Sequence, residues 1–238
     1  MRLDKLLANM GFGSRKDVKS MLKKKQVTVN EVIKRDGSMH VDPSSDVVVV
    51  NGEIVHYQKY IYLMLNKAPG YISATEDMRE KTVIDLLPAN IRHFKPFPVG
   101  RLDKDTEGLL LLTNDGELAH QLTSPKKDIE KTYYAKISGT VTDVDVEKFQ
   151  HGVTLDDGYH TKPAKLNIIQ SGKLSEIEVT ITEGKFHQVK RMFEAVDKKV
   201  VYLKRTKMGE LSLDESLAIG SFRELNDAEL NYCLSLKK

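Results

Sequence analysis

The 238-residue chain contains a single cysteine, Cys233, which excludes an internal disulfide and any multi-cysteine metal site. Within NYCLSL that residue reads as a small apolar member of a last helix. No apolar run approaches the roughly 20 residues that span a bilayer. The opening MRLDKLLANMGFGSR also lacks the continuous apolar stretch and small-residue cleavage site of a signal peptide. The expected location is therefore cytoplasmic. A phosphate-cradling glycine loop of the GxxxxGK type is missing, as are clustered ligand residues, so a nucleotide-hydrolysing or metal enzyme finds no support. His187 has no partners at metal-ligand spacing and reads as a hydrogen-bonded structural histidine.

What is present is ordinary in amount and uneven in placement. The chain is 40% hydrophobic and 30% charged, enough for one large folded domain and a small one. The formal net charge of +3 says little by itself. The first 35 residues, however, hold ten lysines and arginines against three acids, while the remainder holds 27 basic and 31 acidic side chains. Such a basic amino-terminal segment suits a module that meets phosphates.

Leu3, Leu6, Leu7 and Met10 fall at helical spacing, and Gly11 and Gly13 end that helix. Ser14 can cap the next, its hydroxyl accepting from the Asp17 amide while the Asp17 side chain reaches back. Val18, Met21 and Leu22 would be buried, leaving Arg15, Lys16, Lys19 and Lys23 outside. The period then changes to two in QVTVN and Val47 to Val50, before the turn Asn51-Gly52 and EIV. HYQKY, residues 56–60, reads as a linker. Beyond it, strands are expected near 60–66, 108–113, 131–138, 162–170, 175–182, 199–204 and 221–224, with helices in TVIDLLP, ELAHQLT, TDVDVEKFQ, HQVKRMFEAV and DAELNYCLSL. Adjacent strands with segregated helices suggest an α+β fold with a largely antiparallel sheet.

Gly100 to Gly116, GRLDKDTEGLLLLTNDG, carries the most chemistry. Arg101 and Asp103 precede an apolar run that reads as a buried strand closed by Asn114, Asp115 and Gly116. A carboxylate at the mouth of such a strand is partly desolvated, and a facing cation keeps it ionised. Charge spacing alone leaves Asp103, Asp105 and Glu107 as solvated loop acids. In EKTYYAKISG, Tyr133 and Tyr134 fall on opposite faces of one strand, so one of them faces any cleft.

GRLDKDTEGLLLLTNDG resembles the signature of the pseudouridine synthases, in the Rsu branch that acts on small-subunit ribosomal RNA. LTSPKKDIEKTYYAKI, the TKPA segment at Thr161 to Ala164 and EGKFHQVKRMFEAV extend the resemblance. MRLDKLLANMGFGSRKDVKSMLKKKQVTVN resembles the RNA-binding module first described in ribosomal small-subunit protein four. Together they imply an RNA-binding domain at residues 1–56 and a pseudouridine synthase domain at residues 57–238, built on a long, curved, mainly antiparallel sheet with the RNA cleft across its middle.

The resemblance implies an isomerase that converts one uridine of 16S ribosomal RNA to pseudouridine, with no cofactor and no metal, and a monomer is the default for an enzyme that must wrap RNA. Asp103 matches the catalytic aspartate, acting toward ribose or uracil. Tyr133 would stack on the target base, and Lys185 would pair with the carboxylate, lysine standing where many relatives have arginine. Arg101 would fill the gap or hold the displaced phosphate as the uridine flips out. Arg2, Arg15, Lys16, Lys19 and Lys23 in the basic module would meet RNA, and Gln188, Lys190 and Arg191 at the start of the helix after EGKFH would approach its phosphates, unless Lys190 and Arg191 only cover the helix surface. Two other readings stand beside this one: an enzyme of large-subunit ribosomal RNA, and a noncatalytic RNA-binding ribosome assembly factor. A binding protein would need none of the Asp103, Tyr133 and Lys185 constellation.

Overall fold

Leu3, Leu6 and Leu7 line one face of helix α1 (Leu3–Asn9) and Val18 and Leu22 one face of α2 (Arg15–Lys23), all five buried. Ser14 caps α2 as expected, accepting from the Asp17 amide at 3.3 Å while its own amide donates to Asp17 Oδ2 at 2.8 Å. Beyond α2, strands β1 (Val27–Val29), β2 (Val32–Ile33), β3 (Val48–Val50) and β4 (Glu53–Ile54) make a four-stranded sheet in the order β2-β1-β3-β4. Asn51 and Gly52, both at positive φ, turn β3 into β4. Alternating valines of β1 and β3 complete the core over which the two helices lie.

The computed structural model describes residues 1–237, and these fall into two compact units. The first holds Met1–Ile61 with Pro88–Pro96. HYQKY thus packs with this unit, the Gln58 amide reaching the Met10 sulfur at 3.4 Å. The short helix α3 (Ala89–Arg92) ends in His93, which closes on Gly11. A Cβ at Gly11, where φ is +83°, would meet the His93 ring at 2.9 Å.

The second unit, Tyr62–Leu87 with Phe97–Lys238, contains β5 (Tyr62–Lys67), β6 (Phe97–Pro98), β7 (Glu107–Thr113), α4 (Gly116–Thr123), β8 (Lys131–Ser138), α5 (Asp143–His151), β9 (Lys165–Gln170), β10 (Leu174–Ile181), α6 (Gln188–Glu194), β11 (Lys199–Met208), β12 (Leu211–Ser212), β13 (Phe222–Glu224) and α7 (Asp227–Ser235). The nine strands form one sheet, ordered β13-β5-β7-β11-β8-β10-β9, with β12 on β11 and β6 on β7. Every pairing is antiparallel except β7 with β11. That parallel joint unites two antiparallel halves and is tight. Gly108 sits at φ +101°, and a Cβ there would lie 2.3 Å from the Arg205 carbonyl oxygen. TVIDLLP, expected as a helix, is a single 3₁₀ turn at Val83–Leu86. Cys233 is buried in α7. No helix among the described residues is long and apolar enough to cross a membrane.

Candidate active site

A cleft of about 690 Å³ opens over the parallel joint of the second unit and takes its walls from the loop before β7, from β8 and β11, and from the loop between β10 and α6. Asp103, Tyr133, Lys185, Arg101 and Gln188 all line it. Five of the positions singled out in the sequence, drawn from three distant segments, therefore share one cavity.

The loop bearing Asp103 is held from both sides. Ser73 Oγ donates to the Leu102 carbonyl at 2.9 Å and accepts from the Leu102 amide at 3.0 Å. The Gly70 amide binds the Lys104 carbonyl at 2.7 Å. Lys67, the charged end of β5, is fully buried, and its ammonium donates to the carbonyls of Thr106 at 2.8 Å, Ala68 at 3.0 Å and Lys104 at 3.2 Å. Burial lowers the Lys67 pKa to about 8, partly offset by the charges of Asp105 and Asp103. Three carbonyls around one ammonium fix the backbone on either side of Asp103, which is the pre-organisation a reacting carboxylate needs. A charged residue ending the apolar run YIYLMLNK was the only sequence signal of this clamp.

The cation facing Asp103 is Lys190, not Lys185. Lys190 Nζ on the first turns of α6 lies 3.2 Å from Asp103 Oδ2 and 2.7 Å from Asp105 Oδ1. Burial alone would lower the Lys190 pKa, but its bonds to the two carboxylates outweigh that and raise it, so the side chain stays protonated. His187, at positive φ ahead of α6, places Nε2 3.7 Å from Asp103 Oδ1 and stacks on Phe186 at a centroid distance of 3.8 Å. It therefore belongs to the site rather than to the supporting structure. Lys185 instead lies over the Tyr159 ring, 4.5 Å from its centroid.

The loop before α6 is fixed by Glu183, whose carboxylate accepts from the Tyr159 hydroxyl at 2.6 Å, Gln188 Nε2 at 2.7 Å and the Lys162 amide at 2.9 Å. Gln188 is buried, and its carbonyl oxygen takes the Lys185 amide at 2.8 Å. Both ends of its amide are thus engaged within the protein, where Gln188 braces the loop. Arg191 is likewise taken up by Asp156 and Asp157, and Arg2 by a two-pronged pair with Asp4. By contrast Arg15, Lys16, Lys19 and Lys23 are exposed on α2, and Arg101 is exposed at the cleft.

Tyr133 and Tyr134 divide as strand alternation requires. Tyr133 is 8% exposed and lines the cleft, whereas the Tyr134 hydroxyl donates to Glu176 at 2.7 Å and its ring meets Tyr202 edge-on.

The RNA pseudouridylate synthase family profile matches residues 61–195 and the S4 domain profile residues 1–48. The chain is 53% identical to the uncharacterized RNA pseudouridine synthase YtzG of Bacillus subtilis, with 97% of each chain covered. Identity to ribosomal small subunit pseudouridine synthase A of Escherichia coli is 38%, covering 97% of this chain and 98% of that one. Identity to ribosomal large subunit pseudouridine synthase B of Bacillus subtilis is 39%, covering 96% and 93%. A solved pseudouridylate synthase superposes with a TM-score of 0.69 at 35% identity, covering 98% of this chain and 99% of that one. The chain belongs to the RNA pseudouridine synthases and carries an amino-terminal S4 domain.

Proposed function

We propose that this enzyme isomerises a single uridine of small-subunit ribosomal RNA, acting as a monomer, with Asp103 as the reacting carboxylate. The observation that supports this most directly is the Asp103 carboxylate held inside the cleft by Lys190, in the cavity that Tyr133 also lines. Isomerisation detaches uracil from its ribose, turns it and rejoins it through carbon, so the site must hold a free base and offset charge on both fragments. Asp103 serves as nucleophile or base toward the ribose or the ring. The Tyr133 ring offers the stacking face for the flipped uracil. Arg101 stands where it can hold the displaced strand, and the exposed cations of α2 supply sequence-independent phosphate attraction.

The small subunit is favoured by the extended resemblance through TKPA and EGKFHQVKRMFEAV, and by the relative of that name at 38% identity. The large-subunit relative at 39% keeps the second substrate in view.

Pseudouridine mapping of ribosomal RNA from cells lacking the protein tests both points, using carbodiimide adducts that stop reverse transcription, with wild-type and Asp103→Asn genes restored separately. The expected result is loss of one small-subunit site that only wild type restores, while the Asp103→Asn protein binds RNA nearly as well. Loss of a large-subunit site would correct the substrate. An unchanged map would favour a binding-only role.

A further inference from the structure

Arg205 on β11 is 2% exposed and lines the floor of the cleft. Its Nε donates to the Leu109 carbonyl at 2.8 Å, while its Nη2 is buried without a partner among the described residues. Desolvating a guanidinium and leaving one of its donors unmet is expensive, and an apolar side chain in the same space would avoid it. A chain that keeps arginine there has a use for the open donor.

The neighbours of Arg205 indicate that use. Across β8 and β11 its Cα partner is Tyr133, and directly paired residues present their side chains on the same face. The guanidinium and the phenol ring therefore stand side by side in the cavity that Asp103 enters. A second buried polar atom without a partner among the described residues, Thr106 Oγ1, belongs to the same cavity, three residues before Leu109, whose carbonyl Arg205 binds. Lys131 also lines it and donates to the carbonyls of Ile129 at 2.8 Å and Thr182 at 3.4 Å. Burial, and next the charge of Arg205, lower the Lys131 pKa. The cleft floor is thus cationic, opposite to the acidic loop at Asp103.

We infer that Arg205 is a base-binding residue whose Nη2 donates to a carbonyl oxygen of the uracil turned into the cleft and holds that ring while it is detached from the ribose. The inference rests on the uridine isomerisation of the family and not on which ribosomal RNA is the substrate. When the bond between N1 and C1′ breaks with its electron pair on the base, one negative charge spreads over N1 and the ring carbonyl oxygens. A donor fixed in place beforehand binds that anion better than the neutral ring and so lowers the barrier. Rejoining forms the bond from C5 to C1′, releases the C5 proton and returns a proton to N1.

The test compares full-length wild type, Arg205→Met and Arg205→Lys. Tritium release is followed in single turnover on transcripts of both ribosomal RNAs labelled at uridine C5, beside RNA affinity by filter binding and melting temperature, with rates measured well below each melting point. Arg205→Met should melt no lower than wild type, bind RNA within about threefold, and react about a hundred- to a thousandfold more slowly, as expected for loss of one preorganised donor to developing charge. Arg205→Lys should recover part of the rate. A rate for Arg205→Met within threefold of wild type would overturn the assignment. So would parallel loss of rate, RNA affinity and melting temperature that Arg205→Lys fully repairs, because that pattern means the side chain only braces β7 against β11. If Arg205→Met does not fold, Arg205→Lys decides: a stable protein at least tenfold slower supports base binding, and one within threefold excludes it. Release by wild type from the large-subunit transcript alone would correct the substrate and leave the comparison of variants valid. No release from either transcript would sink both readings.

Discussion

Lys185 and Lys190 sit five positions apart in EGKFHQVKRM, and only folding distinguishes them. The residue type needed beside Asp103 was legible in the sequence, since a carboxylate at a strand mouth calls for a cation. Which lysine supplies it was not, because the choice depends on where α6 starts and on the left-handed residue, His187, that aims its first turn. Lys190 bridges Asp103 and Asp105, whereas Lys185 packs on an aromatic face worth about 1 kcal/mol at an exposed position. Lys190→Met should therefore slow tritium release about a hundredfold, with Lys190→Arg recovering most of it, and Lys185→Met should cost less than about tenfold. Equal effects of the two methionine variants would restore Lys185 to the site. Strand alternation left the cleft to either Tyr133 or Tyr134, and charge spacing left Asp103 among three loop acids, so the family resemblance was what singled out Asp103 and Tyr133. Lys67 and Arg205 were not, because a buried cation looks like any charged residue until its surroundings are known.

Apart from TVIDLLP, the strands and helices expected in the second unit follow the hydrophobic periods to within a few residues, and the capping box of α2 was visible as Ser14 and Asp17. The pairing of β7 with β11 left no such trace. Period-two patterns report burial and not the identity of the neighbour, and these strands lie about ninety residues apart in the chain. The glycine that permits their approach, Gly108, reads in the sequence only as a weak point in an apolar run. Gly108→Ala would force a Cβ against the Arg205 carbonyl at a φ that disfavours side chains, and should destabilise the protein by about 3 kcal/mol or more in urea denaturation. A loss below about 1 kcal/mol would mean that the joint can open without harm. Because Arg205 takes part in this contact, activity should fall with stability in that variant.

Across the whole chain, buried carboxylates tie distant segments together and set the response to acid. Asp115 is 1% exposed; it caps α4 and accepts from the Tyr62 hydroxyl and Lys237 Nζ, each at 2.9 Å. Burial alone would raise its pKa, but the bonds from Lys237 and Tyr62 outweigh it and hold the folded value below the ordinary carboxylate range. Asp145, buried against Lys198, behaves alike, with burial again opposed first by its lysine. With the folded pKa depressed, the stabilisation is complete above the unfolded value near pH 4, and it drains away as pH falls through the folded value. Urea midpoints should accordingly fall between about pH 5 and about pH 3, and Asp115→Asn should flatten part of that slope. An unchanged slope would show that other carboxylates carry the acid response. The basic amino-terminal segment was legible as charge alone, since α2 needs no partner to display Arg15, Lys16, Lys19 and Lys23.

The parallel joint also orders events during synthesis. Asp103 leaves the ribosome about a hundred residues before Arg205, and the β7 that carries its loop has no β11 to lie against until then. A nascent or truncated chain thus carries Asp103 without the cleft that β11 completes. The lining of the cleft is complete only once β11 has been made, whereas the four-stranded sheet and paired helices of the first unit draw on residues already made.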